Sequence, residues 1–176
     1  MPHRRIRKAL AAALLVIAPA LTLAGCGAGN DAETLQIAPD TPATTLGSLK
    51  VQNVVLVSPA VGRGGPLAVT GSIYNGGTAP DQLQQVSINE LPQPAVFTPT
   101  PQRPEMRIGP NESLQLGGPG NATAVVPNPA DLVTAGQSRR VTFRFARQGE
   151  VTLWVPVQPA TGIYAGFGPV AAIAGQ

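Results

Sequence analysis

Residues 141–157, VTFRFARQGEVTLWVPV, decide the fold class of this chain. Large apolar side chains occupy every second position on both sides of the turn Gln148-Gly149. These positions are Val141, Phe143, Phe145, Val151, Leu153, Val155 and Val157. A period of two is typical of a strand with one buried face, so the stretch predicts a β-hairpin.

Outward from this hairpin, short apolar stretches alternate with turn sequences. Further strands are predicted at residues 49–57, 67–74, 82–88, 95–98, 106–109, 113–116 and 122–126. Clusters of Gly, Pro and Asn separate several of them, at residues 75–77, 109–111 and 117–121. No window has a helical period, and the 19 prolines disfavour long helices. The pattern predicts an all-β chain with an antiparallel β-sandwich over residues 47–159.

Residues 1–25 have the layout of a secretory signal peptide. A basic segment, residues 3–8, precedes an apolar run, residues 9–23. This run contains Pro19 and is shorter than the ~20 residues of a membrane-spanning helix. An uncleaved membrane anchor is the alternative to a cleaved signal. The pair Arg4-Arg5 leaves both Sec and twin-arginine export open.

The sequence Leu23-Ala24-Gly25-Cys26 resembles a bacterial lipobox. This resemblance implies cleavage between Gly25 and Cys26 and attachment of a lipid to the Cys26 thiol through a thioether, with fatty-acyl chains such as palmitate. Cys26 is the only cysteine of the chain. Since an unpaired thiol is unusual in a secreted domain, lipidation accounts for it.

Two segments of the chain lack the periodicity of a packed core. Residues 26–46 comprise the lipidated Cys26 and a Gly/Ala/Pro/Thr-rich stretch that predicts a disordered leader, acting as a spacer. Residues 160–176 predict a disordered, flexible C-terminal tail. Docking of this tail through Ile163, Tyr164 and Phe167 is the alternative.

The basic character of the chain comes from its predicted signal peptide. The formal charge is +3, but four of the 12 Lys/Arg residues lie among the first eight positions. After Cys26, eight Lys/Arg stand against nine Asp/Glu, a net charge of −1. This balance argues against nucleic-acid binding. The expected contacts are the membrane, through Cys26, and a protein partner.

Cleavage would also remove His3, the only histidine. A chain without histidine, and with its thiol acylated, offers no Ser-His-Asp or Cys-His pair and no imidazole or thiolate metal ligand. We therefore expect a protein that is not an enzyme and has no cofactor. Two carboxylate pairs keep hydrolysis open, although solvated surface is the expected role of these acids. The pairs are Glu90 with Glu105 and Asp81 with Asp131.

Three surface features have competing interpretations. The glycines of residues 117–121 predict a β-turn rather than a phosphate cradle, because the loop joins strands.

Arginines cluster at the hairpin, namely Arg139, Arg140, Arg144 and Arg147. Arg140 and Arg144 fall on its polar phase and predict a solvated face, with lipid headgroups or an acidic partner as the alternative. Trp154 is out of phase with its apolar neighbours and is either a contact residue or packed under the tail.

Taken in chain order, several landmarks resemble the periplasmic copper chaperone family PCu(A)C. Residues 67–77 resemble the family's strand that ends in an Asn-x-Gly-like turn, and Asp81-Gln82-Leu83 resembles its Asp-x-Leu segment. Residues 108–118 resemble the stretch that leads into the metal loop, and residues 132–157 resemble the closing strands. The resemblance implies a cupredoxin/immunoglobulin-like β-sandwich.

The family's copper site uses two histidines and two methionines and closes with a His-x-Met pair. Asn121 and Thr123 stand at the corresponding positions, and residues 95–98 lack the upstream histidine. Met106 matches one methionine, with a core role expected. Because amide and hydroxyl oxygens are poor ligands for Cu(I), the resemblance implies a ligand-less lipoprotein of the kind found in actinobacteria.

The leading hypothesis is a non-catalytic binding or accessory module, anchored by lipid to the outer face of the cytoplasmic membrane. The alternative is copper chaperone-like metal handling with non-standard or partner-shared ligands. Hydrolysis through a carboxylate pair is the third hypothesis.

Replacing Cys26 by serine tests the anchor. Because serine lacks the thiol that forms the thioether, Cys26→Ser should abolish incorporation of a labelled fatty acid and prevent maturation by lipoprotein processing. Metabolic labelling followed by gel fluorography measures this, with Ala28→Ser as the control. Label retained on the Cys26→Ser chain would contradict lipidation at this residue.

Overall fold

The computed structural model describes residues 42–60 and 64–169. The predicted signal peptide, with Gly25 and His3, lies outside these ranges, as do Cys26 and most of the predicted spacer. Ten strands are found within them: β1 Thr44–Leu46, β2 Leu49–Ser58, β3 Leu67–Asn75, β4 Asp81–Ile88, β5 Val96–Thr98, β6 Arg107–Ile108, β7 Ser113–Leu116, β8 Thr123–Val126, β9 Ser138–Phe145 and β10 Gly149–Pro159. No helix in these ranges is long and apolar enough to cross a membrane.

The strands form a curled sheet in the order β5-β8-β3-β2-β10-β9-β4-β6, with β1 beside β2 and β7 beside β3. The predicted hairpin is β9–β10, in which Val141 lies opposite Leu153 and Phe143 opposite Val151. The all-β prediction is confirmed.

One strand pairing departs from the predicted antiparallel arrangement. β10 and β2 run parallel, with Val157 opposite Leu56, whereas the other strand pairs of the described residues are antiparallel. The 11-residue β10 extends past the start of β9 at Ser138, and its last residues reach β2. β10 therefore joins two halves of the sheet: one half is formed by β1, β2, β3, β5, β7 and β8, and the other by β4, β6 and β9.

The core lies between the inner faces of these two halves. Its largest fully buried side chains are Phe143, Leu49, Leu56, Leu67, Ile73, Leu83, Ile88 and Ile108. They come from strands of both halves, so each half covers the apolar face of the other. Each such side chain contributes about 1.5–3 kcal/mol of burial free energy.

A β-bulge bends β2 near its middle. The register with β3 shifts between Gln52 and Val55, and Asn53 has a φ of 55°. Gly71 faces the bulge with a φ of 155°, and a Cβ there would lie 3.2 Å from the carbonyl oxygen of Gln52. Bulges increase local twist and bend a strand, which contributes to the curl of the sheet.

Asn75 organises the turn between β3 and β4. The residue is fully buried. Its Nδ2 donates to the carbonyl oxygens of Ala79 at 2.9 Å and Ile108 at 3.1 Å. Its Oδ1 accepts from the backbone N–H of Gly77 at 2.9 Å. The amide therefore ties the turn to β6.

Asp81 fixes the hairpin turn against β4. Its carboxylate is buried and accepts backbone N–H groups from Gln82 at 2.7 Å, Arg147 at 2.9 Å and Gln148 at 3.0 Å. Hydrogen bonds to a charged acceptor are stronger than neutral ones. Two landmarks of the family resemblance, Asn75 and Asp81, thus hold turns.

The predicted strands are all present, with ends shifted by at most a few residues. One strand lies outside the predicted sandwich: β1, Thr44–Leu46, which falls at the end of the predicted spacer and pairs with residues 49–51. Its three residues, Thr-Thr-Leu, are too few to form an alternating pattern. Pairing with an adjacent strand through a tight turn fixes them instead.

Replacing Asp81 by alanine should destabilise the domain by about 3 kcal/mol, because three backbone N–H groups lose a charged acceptor. Urea unfolding followed by circular dichroism measures this. The exposed Glu90 provides the control, since Glu90→Ala should change the free energy of unfolding by about 0.5 kcal/mol or less. Equal effects of the two substitutions would contradict the assigned role of Asp81.

Candidate functional site

The loop that the family resemblance singled out joins β7 to β8 and is closed by its own hydrogen bonds. The N–H of Gly117 donates to the carbonyl oxygen of Ala122 at 2.8 Å, and the N–H of Asn121 donates to that of Gly118 at 3.3 Å. The Nδ2 of Asn121 donates to the carbonyl oxygen of Gly117 at 3.0 Å. The predicted turn between strands is confirmed.

The two stretches in which the resemblance places ligands meet in the structure. β5 pairs with β8, so that Thr98 lies opposite Thr123 and Phe97 opposite Ala124. Thr98 and Asn121 are exposed, and Thr123 is half-buried. The register therefore brings together two threonine residues, and the amide of Asn121 lies in the loop two residues before Thr123.

Met106 lies in the hydrophobic core, with 4% of its surface exposed. Its carbonyl oxygen accepts the N–H of Leu83 at 2.9 Å, which secures the chain before β6 against β4. The predicted core role of Met106 agrees with this placement. Within residues 42–60 and 64–169, no group of three His, Cys, Asp or Glu residues could hold a metal ion.

The start of the C-terminal segment packs on the outside of the sheet. Ala160, Tyr164 and Phe167 contact a second apolar cluster, formed by Val55, Val57 and Ala68. The Tyr164 and Phe167 rings meet edge to face with centroids 6.5 Å apart. Docking, the alternative to a flexible tail, therefore holds for these residues, whereas Ile163 is exposed and residues 170–176 lie outside the described ranges.

This docked segment also touches the β7–β8 loop. Gly118 has a φ of 80°, and a Cβ at this position would lie 2.9 Å from Cε1 of Phe167. Gly118 and its neighbours in the loop, together with residues 166–169, line a cleft of about 360 Å³. The loop and the Phe167 ring thus form one packed unit beside Thr123.

Of the two carboxylate pairs, Asp81 and Asp131 are not assembled into a shared site in the described part of the chain. Asp81 lines a cleft with Ser48 and Gln148, and its oxygens are engaged by backbone N–H groups. Asp131 lines a different cleft, and its Oδ1 accepts the N–H of Gly65 at 2.9 Å. Glu90 and Glu105 are exposed. These placements are those of turn-holding and solvated acids.

Trp154 and two of the hairpin arginines lie on the outer face of the sheet. Trp154 is 63% exposed and stands opposite Arg140 in the β9–β10 register. Arg144 forms an exposed ion pair with Glu150, with 3.6 Å between Nε and Oε1. Arg139 instead belongs to the alternate residues of β9 that face inward, and its guanidinium donates to the side chain of Gln137.

Three solved structures share this fold. The apo PCuAC domain from PmoF1 has a TM-score of 0.58 and 23% identity, covering 67% of this chain and 99% of that domain. The copper-bound PCuAC domain from PmoF2 has a TM-score of 0.57 and 19% identity, covering 68% and 99%. The apo form of the PmoF2 domain has a TM-score of 0.57 and 18% identity, covering 69% and 98%. No protein-family model and no curated protein sequence matches the chain.

The described domain therefore has a PCuAC-like fold, and the predicted resemblance is confirmed at this level. The likeness extends over nearly the full length of each solved domain. At these identities it concerns the path of the backbone.

The sequence did not predict that Thr98 and Phe167 lie beside the β7–β8 loop. A signal for Thr98 was present, because the resemblance placed a ligand within residues 95–98. The cross-strand register, which the sequence does not contain, selects Thr98 from that stretch. Phe167 was named as a possible docking residue of the tail, but nothing in the sequence indicated that it docks against Gly118.

Replacing Gly118 by alanine should detach the docked segment. Gly118 and Gly120 have similar φ values, 80° and 78°, but a Cβ on Gly120 would meet no atom within 4 Å. Gly120→Ala is thus a matched control for the backbone strain, about 1–2 kcal/mol in each variant. Gly118→Ala should cost about 1 kcal/mol more in urea unfolding, because Phe167 must move.

Hydrogen exchange distinguishes the two variants further. Gly118→Ala should accelerate exchange at the N–H groups of Tyr164 and Phe167, whereas Gly120→Ala should leave them unchanged. Equal protection in both variants would show that the Phe167 contact does not hold the segment.

Proposed function

We propose that this chain is a lipid-anchored, extracytoplasmic protein of copper handling, in which the PCuAC-like domain acts through protein contacts. One observation carries the proposal: the domain has the fold of PCuAC domains over nearly their full length. Thr98 and Thr123 lie opposite each other where the resemblance places the metal site, Asn121 lies in the adjoining loop, and Met106 is buried in the core. The scaffold of a copper domain is present, with a different set of side chains at its metal loop.

The fold likeness supports the copper-handling context. It favours the alternative hypothesis, metal handling with partner-shared ligands, over a binding module of unspecified purpose, because the three solved neighbours are PCuAC domains. The copper-bound and apo forms of the PmoF2 domain match this chain equally, at a TM-score of 0.57. The likeness therefore concerns the scaffold and is independent of bound metal.

Ligand chemistry argues that the domain alone does not carry Cu(I). Cu(I) prefers thiolate, thioether and imidazole ligands, whereas the loop presents hydroxyl and amide groups. The Asn121 amide is also engaged with the carbonyl oxygen of Gly117. A non-enzymatic role agrees with this donor set and with the PCuAC neighbours.

The lipobox-like sequence and the single cysteine support anchoring through Cys26. The layout of residues 1–25 supports export. Together they place the domain outside the cytoplasm, at the outer face of the cytoplasmic membrane, where a copper-handling partner would be within reach.

The form of copper handling that this donor set leaves open is metal transfer through ligands shared with a partner. The exposure of Thr98 and Asn121 favours it, since a partner can approach this edge of the sheet. In that case the partner supplies the soft ligands, and the loop positions them.

Titration of Cu(I) into the full chain, against a chromophoric chelator, tests the ligand argument. The native chain should leave the chelator loaded. A variant with Thr98→His, Asn121→His and Thr123→Met should compete at least tenfold better, because Thr98 and Thr123 are directly opposed, which puts their Cβ atoms ~5 Å apart, and Asn121→His adds a third soft ligand in the adjoining loop. Tight stoichiometric binding by the native chain would overturn the assignment.

The proposed role in copper handling is tested by a measurement in cells. Cells lacking this chain should have lower copper content in their extracytoplasmic copper enzymes, and the native chain should restore it. Unchanged copper content under copper limitation would contradict a role in copper handling.

A further inference from the structure

The outer face of the β9–β10 hairpin carries an exposed tryptophan among arginines. We define this outer hairpin face by the alternate residues Arg140, Thr142, Arg144, Glu150, Thr152 and Trp154. At its centre the hydroxyls of Thr142 and Thr152 are hydrogen-bonded at 2.8 Å. The face is a polar pleated surface that leaves Trp154 63% exposed.

The charge of this face is positive. Residues 132–169 contain four arginines and a single acid, Glu150. Glu150 is paired with Arg144, and no ion pair to Arg140 occurs within residues 42–60 and 64–169. The rest of the chain after Cys26 is acidic, with four Lys/Arg against eight Asp/Glu. The hairpin is therefore a basic region on an otherwise acidic chain.

We propose that the outer hairpin face docks on the anionic surface of the membrane to which the chain is tethered. Tryptophan is enriched at the headgroup level of bilayers, because its ring is apolar and its N–H is a hydrogen-bond donor. Arginine is attracted to anionic lipid headgroups. Trp154 and Arg140 stand opposite each other, so both reach the same plane.

The position of the tether favours the membrane over an acidic protein as the binding partner of the outer hairpin face. This step rests on the proposed lipidation of Cys26. Thr44 lies 18 positions after Cys26, so β1 stays within about 65 Å of the lipid even at full extension. β1 contacts β10, the strand that carries Trp154. A tether raises the effective concentration of the surface, so weak contacts suffice.

Fluorescence tests this docking directly, because Trp154 is the only tryptophan of the chain. The lipidated full chain is incorporated into vesicles of phosphatidylcholine, with or without 30 mol% (about one lipid in three) phosphatidylglycerol. With the anionic lipid, Trp154 emission should shift to shorter wavelength, and brominated lipids should quench it at least twofold more. Added salt should reverse both effects, since screening weakens the attraction.

Substitution of one arginine distinguishes binding through this face from a general effect of the net charge of the chain. Arg140→Gln should remove at least half of the anionic-lipid effect, whereas Arg107→Gln, an equal loss of charge at another exposed strand position, should leave it intact. Equal effects of the two variants would overturn the proposal.

Vesicle flotation distinguishes failure of the anchor from failure of docking. A chain that floats with neither vesicle lacks the anchor and contradicts the proposed function. A chain that floats with both vesicles, with the same Trp154 emission in each, overturns the docking proposal alone. Trp154 emission could instead shift only in native membranes and revert after protease treatment of those membranes. This result would show that the face binds a protein, and it would also overturn the docking proposal.

Discussion

Mutual burial of the two half-sheets is the constraint on which the rest of the structure depends. Each half has an apolar face that only the other half can cover, and β10 belongs to both through its pairings with β9 and β2. The second apolar cluster follows from the same geometry. Val55 and Val57 point out of the main core, so the segment after β10 turns back to cover them. That return brings Phe167 to the β7–β8 loop.

The landmarks that made the sequence resemble a copper-binding family are mostly structural. Asn75 and Asp81 hold turns through buried side-chain hydrogen bonds to the backbone, and the partners in these bonds lie outside the loop at residues 117–121. A chain can therefore keep the family's scaffold while its loop carries other side chains. This separation explains how a PCuAC-like fold and a donor set unsuited to Cu(I) occur in the same molecule.

The sequence predicted most of the strands because alternation at a period of two survives wherever one face is buried, as in residues 141–157. It did not predict the parallel pairing of β10 with β2, because alternation contains no information on the direction of a neighbouring strand. β1 escaped detection because three residues cannot establish a period. At the candidate site, the loop at residues 117–121 was recognisable from its glycines. Its neighbours Thr98 and Phe167 depend on contacts between residues far apart in the chain.

The parallel pairing of β2 with β10 also bears on when the domain can fold. Among the described strands β2 is one of the first to emerge and β10 is the last, so the contacts between Leu56 and Val157 close a loop of about a hundred residues. Long-range pairings of this kind slow folding. A chain that threads through an export channel with its N-terminus first would have to present nearly all of its length on the far side before its core could close. Under Sec export, which carries unfolded chains, late closure of this kind would keep the polypeptide extended until it has crossed.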